Sequence, residues 1–224
     1  MTGVAYSYPK EKLNQAIWSI PMPDRIKRLP ISDTGFPIPF FVAWIDGKPD
    51  FRVIGPDKLP QAVNRKLCWV CGQPLGQFKA FPIGPMCAIT RTISEPPCHL
   101  ECAEYAVQAC PFLANPRMRR NEKNLPPEYQ EPAGTMILRN PGATCIWVTK
   151  DFRAFRSGTG VLFQLGDPSS VHWFAEGRKA TRAEVQHSID TGLPLLTAEA
   201  EKDGPEGVAE LKRHIERAKP LLPS

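Results

Sequence analysis

The pattern that most restricts this chain is a pair of half-motifs, Cys68-x2-Cys71 and His99-x2-Cys102, with residues 72–98 between them. Zinc takes four nitrogen or sulfur ligands in a tetrahedron, and a pair spaced by two residues can turn both side chains onto one ion. Gly72 follows the first pair directly, as in a tight knuckle whose backbone amides point at thiolate sulfur. Between the pairs, "QFKAFPIGPMCAITR" has the pattern of a hairpin turning at Gly84-Pro85. Pro96-Pro97 then halts the chain, and "HLECAEYAVQAC" begins a helix with Leu100, Ala103, Val107 and Cys110 on one face. A redox Cys-x-x-Cys normally opens a helix, whereas here a helical pattern precedes the pair and Gly72-Gln73-Pro74 follows it.

Knuckle, hairpin, then a helix whose first turn supplies the last two ligands: this order resembles the treble-clef zinc finger over residues 68–110. The resemblance implies Cys68 and Cys71 as knuckle ligands, His99 and Cys102 as helical ones, and a structural zinc ion. Cys87 and Cys98 stand as alternatives to His99, Cys98 at a spacing of three from Cys102. Four protein ligands close the coordination sphere, whereas catalysis keeps one position open. The HNH-type nucleases share this arrangement but carry a general-base histidine on the hairpin, and residues 72–98 contain none.

Composition decides what surrounds such a module. Leu, Ile, Val and Phe make up about 24% of the chain, above the roughly 20% below which disorder sets in. The 25 prolines fix φ and remove backbone donors, so helices should be short and loops stiff. Seven cysteines, an odd number clustered between 68 and 110 with one outlier at 145, do not form a secreted disulfide framework. The N-terminal stretch has no long apolar run and nowhere does one approach the roughly 18 residues of a membrane span, so a soluble, cytoplasmic chain is expected. The net charge is +5, but residues 68–132 carry six cations and six acids, which argues against a phosphate-tracking finger.

Along the chain, the expectation is an α+β protein. "SYPKEKLNQAIWSI" predicts a first helix capped by Ser7, and "FFVAWIDGKPDFRVI" a hairpin around Asp46-Gly47. "GPDKLPQAVNRKL" predicts a short helix capped by Asp57. Residues 115–134 are polar, proline-rich and without periodicity, the best candidate for a linker between residues 1–114 and 135–224. Beyond it, "TMILRN" and "TCIWVTKDF" predict strands, and "GVLFQLGDPSSVHWFAEG" a hairpin around "GDPSS". Thr181 and Glu184 form a capping box for a helix that Gly192 should end. A last helix over 205–219 aligns Val208, Leu211, Ile215, Ala218 and Leu222.

Three surfaces outside the finger carry charge: Arg117, Arg119 and Arg120; Arg178, Lys179 and Arg182 at a helix start; and "WVTKDFRAFR" over 147–156, where aromatics are interleaved with cations as on single-strand nucleic-acid platforms. His172, His187 and His214 fit no catalytic triad or carboxylate pair. The whole chain resembles uncharacterised proteins encoded by phages and prophages in "FFVAWIDGKPDFRVI", "LCWVCG", "FPIGPMC" and "ATRAEVQHSIDTGLPLL". That resemblance implies an accessory or host-directed role and transfers no catalytic residue. The expected function is therefore a zinc-stabilised, non-enzymatic protein that binds another protein. Nucleic-acid binding through the Arg clusters and the 147–156 strand is the second reading, and a thiol enzyme using Cys87 or another cysteine the third.

Overall fold

Strand β5 (Thr144–Thr149) is the centre of the protein, with all six of its residues buried. A strand buried on both faces needs cover on each side, and the rest of the chain supplies it. The computed structural model describes residues 10–223 apart from 120, 122, 128, 130, 136, 138 and 159. β5 pairs antiparallel with β3 (Lys79–Ile83) and β8 (Ser170–Ala175), and β9 (Arg178–Lys179) extends the sheet to the order β3-β5-β8-β9. This sheet takes one strand from before the proline-rich stretch 115–134 and three from after it.

Alternate residues of β5 feed two cores. Ile146 and Val148 pack with Cys68, Cys102, Ala103 and Val107 beneath helix α3 (Leu100–Ala109). Cys145 and Trp147 pack with Phe81, Phe163, Trp173 and Val185 on the other face. There a second sheet lies, β4 (Thr92–Ile93), β7 (Gly160–Leu165) and β6 (Phe152–Ser157) in the order β4-β7-β6. Helices α2 (Pro85–Thr90), α5 (Arg182–Lys202) and α6 (Gly204–Ala218) complete that side. A separate hairpin, β1 (Val42–Ile45) and β2 (Lys48–Ile54), turns at Asp46 and Gly47, whose φ values of 48° and 76° suit this dipeptide. Helix α1 (Lys58–Arg65) leads into the first cysteine pair, and the short α4 (Pro111–Ala114) follows α3.

Several local expectations take another form. Ser7 and Pro9 lie outside the described residues, and the N-terminal helix appears as two 3-10 turns, Lys10–Lys12 and Gln15–Ile17. Asn14 separates them: its side chain accepts from Ala16 N and its own N–H donates to Gly35 O, which holds it extended. Asp57 stands at the start of α1 without a side-chain cap bond. No hairpin turns at Gly84-Pro85; β3 runs into α2 there. Only the Ala80↔Cys98 bridge joins β3 to the returning chain. Continuing that register would set Pro82 against Pro96, and neither has an N–H to extend the ladder.

β7 and β8 do not pair either. Residues 166–169 cross from one sheet to the other, tied to the end of β5 by Gly166 N to Asp151 O (2.9 Å), Thr149 Oγ1 to Asp167 O (2.9 Å) and Ser169 N to Val148 O (2.7 Å). Those bonds steer β8 alongside β5, and the hairpin partner of β7 is β6. The described residues of 135–140 form no strand. α5 continues through Gly192 and Pro194, because Val185, Ser188, Ile189 and Gly192 form its buried stripe. Gly192 sits flush against α2, where an added Cβ would lie 2.9 Å from Met86 Sδ. Tertiary packing thus overrides the local stop signal. The capping box is present, with Thr181 Oγ1 accepting from Glu184 N and Glu184 from Thr181 N.

Candidate metal centre

The knuckle forms because Gly72 takes a φ of 69°. That left-handed turn lets Gly72 N donate to Cys68 O (2.8 Å) and Cys68 N to Gln73 O (2.8 Å), folding Cys71 back over Cys68. Phe40 closes the outside, its ring only 2.8 Å from where a Cβ on Gly72 would stand. From the other side, Trp69 N donates to Pro97 O (3.0 Å) and the Ala80↔Cys98 pair exchanges two bonds of 2.8 Å. These contacts deliver His99 as N-cap of α3 and Cys102 in its first turn.

The ligand atoms of Cys68, Cys71, His99 and Cys102 all lie within 4.8 Å of one another, so the four side chains are positioned to hold one metal ion. Cys68 and Cys102 are wholly buried and Cys71 nearly so. The Cys68 sulfur accepts from the amides of Cys71 and His99, each at 3.4 Å. Hydrogen bonds from the Cys102 and Cys71 thiols, together with those amides, hold the Cys68 thiol well below the usual thiol range. Cys102, whose one thiol proton lies between the Cys68 and Cys71 sulfurs, is pushed well up. Negative charge is thereby gathered at the centre of the cluster, beside the positive end of the α3 dipole.

His99 is set in the tautomer a ligand requires. Its Nε2 lies 3.0 Å from Pro74 O, and a carbonyl only accepts, so Nε2 carries the proton. Nδ1 then turns a lone pair toward the sulfurs, 3.4 Å from Cys71 Sγ and 4.0 Å from Cys102 Sγ. A carbonyl fixing the distal nitrogen is the usual outer support of a metal-binding imidazole. Arg25 clasps the assembly from outside, donating to Gln73 Oε1 (2.5 Å) on the knuckle and Glu101 Oε1 (2.7 Å) on α3. Sequence spacing gave no sign of Arg25 or of the Pro74 carbonyl, since both act across long stretches of chain.

The remaining cysteines lie elsewhere. Cys98 Sγ points to Ala80 O (3.3 Å), and burial holds its thiol well up. Cys87 sits half-buried on α2, its thiol pushed up to about 11 by burial and then by the Glu95 carboxylate. Among the described residues, neither joins the four-atom group. Of the 147–156 aromatics, Trp147 is fully buried and Phe152 packs between Phe81 and Phe163, which leaves Phe155 with Arg153 over its ring. Arg178 is engaged by Glu184 and Glu176, and Arg182 by Pro223 O. Arg117 and Arg119 are exposed, and Arg120 lies outside the described residues. His172 Nε2 meets Ser170 Oγ at 2.9 Å, His214 Nε2 stands 3.6 Å from Glu210, and His187 is exposed on α5.

Fold and site together define an α+β protein with a Cys3His group, its three cysteines buried and His99 half-buried, positioned for a metal ion. The chain matches no protein-family model, no curated protein and no solved structure. Among the described residues, no helix is long and apolar enough to cross a membrane.

Proposed function

We propose that this is a cytoplasmic, non-enzymatic interaction protein, clamped by one structural zinc ion and acting through a protein partner. The observation that carries the reading is the Cys3His group: three sulfurs and one imidazole nitrogen lie within 4.8 Å of one another, the number of ligands that would complete a zinc tetrahedron and leave no position for substrate. Such a donor set suits zinc. The ligand order, two from a knuckle and two from a helix start, supports the treble-clef resemblance, although α2 stands where that finger has a hairpin turn. The raised Cys87 thiol weighs against a thiol enzyme. Burial of Trp147 and the packing of half-buried Phe152 between Phe81 and Phe163 take two stacking surfaces from the nucleic-acid reading. An accessory role in a phage or prophage rests on the sequence strings quoted above.

Native mass spectrometry of protein purified without chelator tests the metal. One zinc per chain is expected, lost together with the fold in Cys102→Ser. A structural zinc site contributes on the order of 10–16 kcal/mol, comparable to the whole stability of a domain. A metal-free folded chain would sink the proposal. Partner capture follows: retention of a protein that withstands salt supports the reading, whereas binding that falls steeply with salt and needs nucleic acid favours the second one.

A further inference from the structure

β6 is the outer strand of its sheet, and among the described residues no strand pairs with its far side. The direction of its main-chain groups follows from its neighbour. Leu165 opposes Phe152 in the β6–β7 register, yet its N–H runs the other way, to Arg91 O at 2.8 Å. Antiparallel pairs alternate between hydrogen-bonded and non-hydrogen-bonded. Phe152↔Leu165, Ala154↔Phe163 and Arg156↔Val161 are therefore the non-bonded pairs, and the N–H and C=O groups of Phe152, Ala154 and Arg156 point outward. Arg153, Ala154 and Arg156 are exposed along this edge. Three cations, Lys150, Arg153 and Arg156, stand along it against one carboxylate, Asp151. The Arg153 guanidinium is held 5.6 Å from the Phe155 ring centre.

We propose that the β6 edge receives an extended acidic segment of a protein partner, which adds to the sheet as a fourth strand. This rests on the protein-interaction reading above and names its surface. Edge strands are commonly guarded by charge against unwanted pairing, and here the guard is of one sign. A second copy would bring two edges of the same net positive charge together, so pairing of β6 with itself is disfavoured. Glu or Asp on an incoming strand meets them instead. Main-chain bonds supply the affinity and the cations the choice of partner.

The test is an amide NMR titration of the full, metal-loaded chain with a capped eight-residue peptide of repeated Glu-Glu-Val-Val, which presents Glu on both faces of an added strand. The amides of Phe152, Ala154 and Arg156 should shift and saturate, and the same peptide with Lys in place of Glu should leave them unmoved. Reversing both arginines, Arg153→Glu with Arg156→Glu, should weaken binding roughly tenfold. Ala154→Pro removes only an outward donor, which an edge strand tolerates, and should abolish binding while the β5 amides keep their positions. No saturable shift at millimolar peptide, an equal response to the Lys peptide, or binding that survives Ala154→Pro overturns the inference. A captured partner that binds the Ala154→Pro chain unchanged also overturns it and leaves the interaction reading standing. A chain that captures no partner yet adds the peptide does the reverse.

Discussion

Gly72 and Gly47 both hold φ near +70°, at 69° and 76°, but their surroundings differ. An added Cβ at Gly47 meets nothing within 4 Å, whereas at Gly72 it stands 2.8 Å from Phe40 Cδ2 and 3.0 Å from Cγ. Gly47→Ala should therefore cost only the left-handed backbone strain of an L-residue, about 1–2 kcal/mol. Gly72→Ala adds displacement of the Phe40 ring, an overpacking cost of about 1–3 kcal/mol. Phe40 has little room to yield: its N–H donates to Val70 O (2.8 Å) and Lys58 Nζ sits 4.3 Å from its ring centre. For a chain of this size each kcal/mol moves Tm by about 2–4 °C. Scanning calorimetry of the metal-loaded proteins should place Gly72→Ala at least about 2 °C below Gly47→Ala, and both below wild type. Equal shifts would show that Phe40 does not confine the knuckle. A smaller shift for Gly72→Ala would refute the account of why that glycine is there.

At pH 7 the Cys87 thiol, pushed up to about 11 mainly by burial, should react with iodoacetamide at least about tenfold more slowly than in the unfolded chain. Peptide mass mapping reads this directly, and equal rates would mean the thiol is not shielded. Thr181→Ala removes the cap of α5 and should cost about 1 kcal/mol by denaturant titration; no change would show that the helix start is frayed in solution. The Glu184 carboxyl is held at about 2, first by Arg178 and then by the Thr181 amide. A carboxyl depressed in the fold stabilises above its unfolded value and loses that contribution as pH falls through the folded one. The stability difference between wild type and Glu184→Gln should thus narrow between about pH 4.5 and 2, and a constant difference would rule out the ion pair. His99→Cys should retain metal, whereas His99→Ala should bind it more weakly in a chelator competition; indifference to both would take His99 out of the ligand set.

The amino-acid sequence by itself settled what is local. Asp46-Gly47 dictates its turn, Thr181 and Glu184 start their helix, Pro96-Pro97 stops the chain before α3, and the spacing around Gly72 makes a knuckle. Each is a matter of a few dihedrals and a neighbouring donor or acceptor, so it can be read within a few residues. The candidate site was legible for the same reason: each half of it is a short-range motif, and only their meeting is long-range. Which strands pair was decided elsewhere. β8 lies beside β5 because the bonds from residues 166–169 to the end of β5 hold it there in place of the hairpin that "GDPSS" suggests, and continuing the Ala80↔Cys98 register would set Pro82 against Pro96, where no N–H can extend the ladder expected to turn at Gly84-Pro85. α5 ignores Gly192 because Met86, distant in sequence, packs onto it. Pairing and packing depend on groups brought together from far along the chain, where the energy of burying a shared face exceeds the local preference of any one residue. Only the tertiary structure carries that information.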